Sequence, residues 1–240
     1  MAPERMLGKL PPVRDPRTLQ LSRYYRREEA VPPATRRWDT PVSDWGVMGN
    51  NRYGNCVIVT PAHALLSMHA NTSGDLARIT DAAVIELSRQ MRALHGYAIL
   101  NRLKYWRKTG MWGNKLYAFA AIDTHGPLDF KVAIDEFGWA DIGLDMPTAW
   151  QDEEVWDTGL SYRYKPGTWG PHSVPLVGYD ERLAYCVTWG KLQPITWAAI
   201  AKYCDEAYAT IDGDWMATTA KTPSGFDWET LEYDLTAFAT

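Results

Sequence analysis

Cysteine is scarce and unpatterned in this 240-residue chain: Cys56, Cys186 and Cys204 are the whole complement. They form no C-x-x-C pair and their number is odd, which excludes a disulfide framework or a cysteine-based zinc site. His63, His69, His95 and His125 stand at no metal-ligand spacing and read as core or surface residues. No metal or cofactor is expected. No stretch is long and apolar enough to span a membrane. Arg5, Lys9 and several prolines interrupt the apolar run that a signal peptide needs. A protein made in a cytoplasm, without membrane contact, is the expectation. Internal repeats and low-complexity tracts are also missing, which excludes solenoid architectures.

What is present is ordinary in bulk and uneven in distribution. Hydrophobic residues make up 46% and charged residues 22%, enough for a sizeable core. Twelve tryptophans and thirteen tyrosines supply large core and interface anchors. The net charge of −4 divides sharply. Residues 1–37 hold nine Lys/Arg against four Asp/Glu, leaving the rest strongly acidic. Seven of the fifteen prolines fall within residues 1–41. Proline fixes φ and lacks a donor, so residues 1–41 read as an extended, basic arm. Such an arm orders on its own body or on a neighbour, including another copy of the chain. No nucleic-acid motif accompanies it, so nucleic acid is not an expected partner.

Along the body, two helix starts are compatible with the apolar run after Cys56. Asn55 as N-cap would place Cys56 at the positive end of a helix dipole, with Pro61 inside the helix. Thr60 as N-cap would put Pro61 at the first helical position instead. Further helices are expected after Thr80 or Asp81, over 98–108, and over Leu128–Phe137 before Gly138. Strands are expected at Leu116–Ile122, Asp141–Met146, Ser173–Tyr179 and Ala184–Thr188. Thr196 caps a helix expected to run to about Tyr208, followed by a short strand at Ala209–Ile211. Thr222–Gly225 reads as a loop, and Asp227 opens an amphipathic tail with Leu231, Leu235 and Phe238. Asp205-Glu206 reads as a solvated face, Cys186 and Cys204 as buried thiols, and Trp150–Trp169 as a lid or interface loop. Helices first and an antiparallel sheet after them argue α+β.

The chemistry concentrates around a lone cysteine and a distant histidine, the sequence shape of a thiolate–imidazole nucleophile. Gly49-Asn50-Asn51-Arg52-Tyr53-Gly54-Asn55-Cys56, then His172-Ser173-Val174 running to Gly178-Tyr179, then Thr188-Trp189-Gly190, resemble in order the motifs of the papain-like cysteine peptidase superfamily, in its bacterial and phage branch. The resemblance covers about residues 45–190. It implies a helical half carrying the Cys56 helix, packed on a C-terminal antiparallel sheet or barrel half. The papain-like domain would span 42–216, between the arm (1–41) and a tail with a short amphipathic helix (217–240). It further implies Cys56 as nucleophile, His172 as base, Asn50 as oxyanion donor and Trp189 as a shield over the histidine's partner. Three positions depart from that pattern. Val187 stands where an asparagine would orient the histidine, leaving the adjacent Thr188 as a candidate that reaches it only if the strand bulges. Asn50 replaces a glutamine, and Val57 replaces an aromatic residue.

Two functional expectations follow from the resemblance, and a third from the junction of the helical and β halves. One is a cysteine hydrolase of peptide or amide bonds in a protein or peptide substrate. The other is an inactive papain-like scaffold serving as a phage virion component through residues 1–41. A third is a cleft that binds without chemistry.

Overall fold

The computed structural model describes residues 5–72, 79–213, 215 and 226–237. The loop expected at Thr222–Gly225 and Phe238 of the tail lie outside the described residues. Six helices are described: α1 (Cys56–Thr72), α2 (Asp81–Gln90), α3 (Ile99–Thr109), α4 (Pro127–Phe137), α5 (Trp197–Tyr203) and α6 (Trp228–Ala237). Eight strands accompany them: β1 (Leu19–Gln20), β2 (Arg36–Arg37), β3 (Leu116–Ala121), β4 (Ala140–Met146), β5 (Gly170–Tyr179), β6 (Leu183–Thr188), β7 (Lys191–Thr196) and β8 (Cys204–Asp212). They form one sheet in the order β1-β3-β8-β4-β5-β6-β7, with β2 also paired to β5. Only the β1–β3 pair is parallel. The expected α+β class, helices leading and an antiparallel sheet following, describes this architecture.

Of the two helix starts the sequence left open, the structure takes the first. Ile58 and Val59 donate to the Asn55 carbonyl, so α1 begins at Cys56 and contains Pro61. Proline there removes the donor that would serve the Val57 carbonyl. Burial offsets this cost: every residue from Cys56 to Met68 is buried. A helix apolar all round must be enclosed on all sides, and α1 lies between α2 and α3 on one side and β5 on the other. Val57, Ile58, Leu65, Leu100, Leu103 and Trp106 share one core there. A second core joins the sheet to α4, α5 and α6 through Phe130, Phe137, Leu176, Ile200 and Leu231.

The last third differs from its sequence reading. The helix expected to reach Tyr208 stops at Tyr203, and β8 takes over from Cys204. β7 has no counterpart among the expected strands and contains Pro194; it lies at the end of the sheet order, where a missing donor costs least. Trp189 and Gly190, with φ of 46° and 77°, form a two-residue turn between β6 and β7. Positive φ at both central residues suits the right-handed twist of the flanking strands.

The proline-rich arm is laid on its own body. It contributes β1, β2 and the fully buried Leu21 and Tyr24. Four of its arginines are paired with carboxylates of the chain: Arg27 with Asp129, Arg36 with Asp135, Arg37 with Asp39 and Arg23 with Asp234. Within the Trp150–Trp169 stretch, Trp150 and Trp156 are buried while Leu160 and Tyr162 are exposed. Trp150 and Trp156 stack at 4.8 Å inside the second core.

Candidate functional site

The loop before α1 is shaped by three positive-φ residues, Gly46, Met48 and Gly49. Asn55 fastens it from within, donating to the Met48 carbonyl (3.1 Å) and Ser88 Oγ (3.3 Å). Asp81 at the start of α2 accepts from the Met48 backbone N–H. Cys56 is thereby held at the first position of a helix whose N-terminal dipole favours negative charge.

Cys56, Asn50, His172, Val187, Thr188 and Trp189 line one closed cleft with no room for a water molecule. His172 is fully buried. Its Nε2 lies 2.8 Å from Thr188 Oγ1, and its Nδ1 has no hydrogen-bond partner among the described residues. Trp189 stacks on the imidazole at 4.5 Å, nearly parallel. Val187 offers no polar atom; Thr188, the last residue of β6 before the turn, makes the contact. Asn50 borders the cleft, but its amide already donates to the Tyr53 carbonyl (3.1 Å) and, at 3.4 Å, to Asn55 Oδ1.

Val59 and three polar residues join them. Ser173 Oγ meets Thr60 Oγ1 at 2.9 Å, tying β5 to α1, and Thr60 also donates to the Cys56 carbonyl. His63, two helical turns below Cys56, lines the same cleft and is bonded through Nε2 to the Gly46 carbonyl. Read as a core or surface histidine, it is a core histidine at the wall of the site. Its position at i+7 from Cys56 was the available signal.

The electrostatics are those of a dry site. Burial pushes the Cys56 thiol up to about 11, while the backbone amides of Ser173, Gly8 and Val57 pull the other way. Burial, with a smaller contribution from His63, lowers His172 to about 3. Burial lowers His63 to about 4 against the pull of the Gly46 and Trp45 carbonyls. In this closed state thiol and imidazole are both neutral.

The cover is the chain's own N-terminal segment. Met6 N–H donates to the Asn50 carbonyl, Tyr97 N–H to the Gly8 carbonyl, and Leu10 N–H to the Tyr97 carbonyl. Trp189 Nε1 donates to the Met6 carbonyl, and the Arg5 guanidinium lies over the Trp189 ring. Gly8 passes so close that a Cβ there would overlap the Gly54 carbonyl and stand 2.7 Å from Gly54 Cα. Lys9 then turns inward and is 2% exposed. Its Nζ reaches Asp205 at 2.7 Å and Glu206 at 3.3 Å. Asp205 is exposed, as a solvated face would be, but Glu206 is buried and a buried lysine is seated on both carboxylates. Nothing in the local sequence of residues 5–10 announces this path.

Solved structures with the same arrangement of elements carry a common label. Xylellain, a cysteine protease from Xylella fastidiosa, superposes with a TM-score of 0.68 over 87% of this chain and 96% of its own, at 13% identity. The fold is that of the papain-like cysteine proteases. Procathepsin B S9 from Trypanosoma congolense matches at 0.64 over 87% of each chain, at 11% identity. The Carica candamarcensis cysteine protease CMS1MS2, solved with E-64, matches at 0.56 over 75% of this chain and 98% of its own, at 15% identity. No family model matches the sequence, and no curated protein does. At these identities the likeness establishes the papain-like fold, and the chemistry rests on the residues in the cleft. Among the described residues no group of three His, Cys, Asp or Glu side chains could hold a metal, and no helix is long and apolar enough to cross a membrane.

Proposed function

We propose that this papain-like protein is a cysteine hydrolase of peptide or related amide bonds, held shut by its own residues 5–10. The observation that carries the reading is His172, bonded at Nε2 by Thr188 and covered by Trp189, in the same cleft as a cysteine at a helix N-terminus. With Nε2–H given to Thr188 Oγ1, the unpartnered Nδ1 carries the lone pair and takes the Cys56 proton. The thiolate attacks the carbonyl carbon, and charge builds on its oxygen. The Cys56 backbone N–H, and Asn50 once it gives up its 3.4 Å contact to Asn55, are the donors for that oxygen. His172 returns the proton to the leaving amine, and water then cleaves the acyl-enzyme with His172 as base. Thr188 keeps the ring oriented, as a neutral hydroxyl in place of an amide.

Release of the strap is part of the reading. Readmitted water removes the desolvation that keeps thiol and imidazole neutral. The test is Cys56 alkylation against pH in the full chain, with the strap displaced, in wild-type and His172→Ala backgrounds. A thiol that titrates well below its closed-state value, and rises in the variant, supports a working pair. A profile unchanged by His172→Ala sinks it.

A second reading, a papain-like scaffold without turnover serving in a phage virion, draws support from Val187 and from the sealed cleft. Hydrolysis of fluorogenic peptide amides by a strap-displaced chain, abolished by Cys56→Ala, decides against it. A strap-displaced chain with an exposed, alkylatable Cys56 and no turnover decides for it.

A further inference from the structure

We propose that a cavity at the β1–β3 end of the sheet binds an organic phosphate, a phosphate monoester carried on an apolar or aromatic body. Arg107 and Lys108 of α3 hold the phosphate, and Leu19, Phe119 and Leu235 take the body. None of the residues lining this cavity lines the Cys56 cleft, so the proposal stands without the hydrolase reading.

The space opens where the arm leaves the sheet. At this edge the arm pairs only through Leu19 and Gln20, opposite Ala120 and Ala121. Just before them it folds back in a turn, with Thr18 N–H donating to the Asp15 carbonyl at 2.9 Å. Among the described residues no strand lies beside Leu116–Phe119 on that side. Arg107 reaches into the gap and donates from Nε to the Tyr117 carbonyl at 3.3 Å. The cavity left between the arm, α3 and α6 has a volume of about 470 Å³, the size of a small-molecule site. Leu19, Phe119 and Leu235, each half-buried, give it an apolar lining.

Its charge is one-sided. Lys104, Arg107 and Lys108 stand at i, i+3 and i+4 on one face of α3, a spacing at which like charges repel. Arg17 of the arm is a fourth cation. Two carboxylates line the cavity with them, and both are engaged. Asp15 takes Arg17 at 2.9 Å and Lys104 at 2.7 Å, and these cations hold its carboxyl well below the usual range. Asp234 accepts from the Tyr24 hydroxyl at 2.9 Å and pairs with Arg23 at 3.0 Å. Arg107 and Lys108 form no ion pair among the described residues. Four cations less two carboxylates leave a surplus of two positive charges, in a chain whose net charge is −4. A concave surface with apolar walls focuses such a field on a bound anion.

Cations in the last turn of a helix also suit its dipole, which accounts for Arg107 and Lys108 on α3. It does not account for the Arg17 and the apolar side chains that the arm, β3 and α6 bring to the same cavity. A dianionic phosphate answers both unneutralised charges, through charge-assisted hydrogen bonds from a guanidinium fork and an ammonium. A single carboxylate would answer one.

The test is calorimetry on the full chain with naphthyl phosphate, hexyl phosphate and adenosine monophosphate, which separate aromatic, alkyl and nucleoside bodies. At least one should bind at a single site, at least tenfold tighter than its own alcohol and than inorganic phosphate. Arg107→Gln/Lys108→Gln should weaken that probe at least tenfold, with an unchanged Tm as the folding control. Lys108→Gln alone, at an exposed side chain, should weaken it at least threefold. Arg182→Gln/Lys202→Gln removes two exposed cations elsewhere and should leave the affinity within about twofold. Failure of all three phosphates at millimolar concentration overturns the site. An affinity that survives both α3 variants overturns it too, as does an alcohol or inorganic phosphate that binds as tightly as the ester.

Discussion

Replacing Gly8 by alanine perturbs the strap with the least chemistry, one methyl group. That methyl would overlap the Gly54 carbonyl and stand 2.7 Å from Gly54 Cα. Gly54 cannot retreat, because its N–H is bonded to the Leu94 carbonyl at 2.7 Å and the next residue caps α1. The strap must therefore lift. Lifting forfeits the backbone hydrogen bonds Met6 to Asn50, Tyr97 to Gly8 and Leu10 to Tyr97. At a net of about 1 kcal/mol each they are worth about 3 kcal/mol. A shift of that size raises the open population on the order of a hundredfold. When reclosing outpaces alkylation, the labelling rate of a buried thiol follows the open population. Iodoacetamide labelling of Cys56 at pH 7 should accelerate on the order of a hundredfold in Gly8→Ala over wild type. Cys186, fully buried within β6, is the control, and its silence shows that the fold holds. Equal Cys56 rates in the two proteins, with Cys186 silent in both, refute the idea that residues 5–10 cover the site.

Three other perturbations have defined outcomes. Thr188→Val keeps shape but strips the hydroxyl from His172 Nε2, and leaving that buried nitrogen unpaired should cost about 1–3 kcal/mol in urea unfolding; in the strap-displaced chain kcat should fall tenfold or more while KM moves little. His172 and His63 have lowered folded-state values, so the unfolded chain binds more protons below pH 6.5 and stability drops as pH falls through that range. At about 1.6 kcal/mol for each ring the loss between pH 6.5 and 5 is about 3 kcal/mol, and a flat stability profile there contradicts the burial argument. Arg102 and Asp141 form a fully buried ion pair away from the cleft. Arg102→Ala alone should destabilise by about 3–5 kcal/mol, and replacing both partners with apolar residues by much less.

The sequence carried the local half of this structure well and the tertiary half only through resemblance. Thr80 caps α2 with its side chain, and Gly138 ends α4 in the left-handed region, because both signals act within one turn. The extent of α5 was misread because Tyr203 to Tyr208 is apolar at both helical and strand spacing; pairing with β3 and β4 settles it as β8. The order of the motifs brought Cys56, His172, Thr188 and Trp189 to notice, and the structure gathers them in one cleft. It did not reveal that Thr188, beside the apolar Val187, reaches the imidazole, since that depends on where β6 gives way to its turn. Asp205-Glu206 looked solvated because its partner, Lys9, is 196 residues away in sequence. Contacts of that separation leave no local pattern.

The closed site also explains its own charge state. A thiol held near 11 beside an imidazole held near 3 would be a poor nucleophile and a poor base if those values were fixed by the residues. They follow from the enclosure of the cleft, since desolvation is the first cause of both shifts. The groups that favour the ion pair are present in the closed state: the N-terminus of α1, the Ser173 amide and the Thr188 hydroxyl. Removing the strap subtracts the opposing cause and leaves these in place. The Gly8 amide, which also pulls the thiol down, leaves with the strap, but it is a smaller contribution than the burial that the strap imposes. On the proposed hydrolase reading, the same movement admits substrate and lets a proton pass from Cys56 to His172. A cleft that ionises only when open keeps a reactive thiolate out of the resting protein.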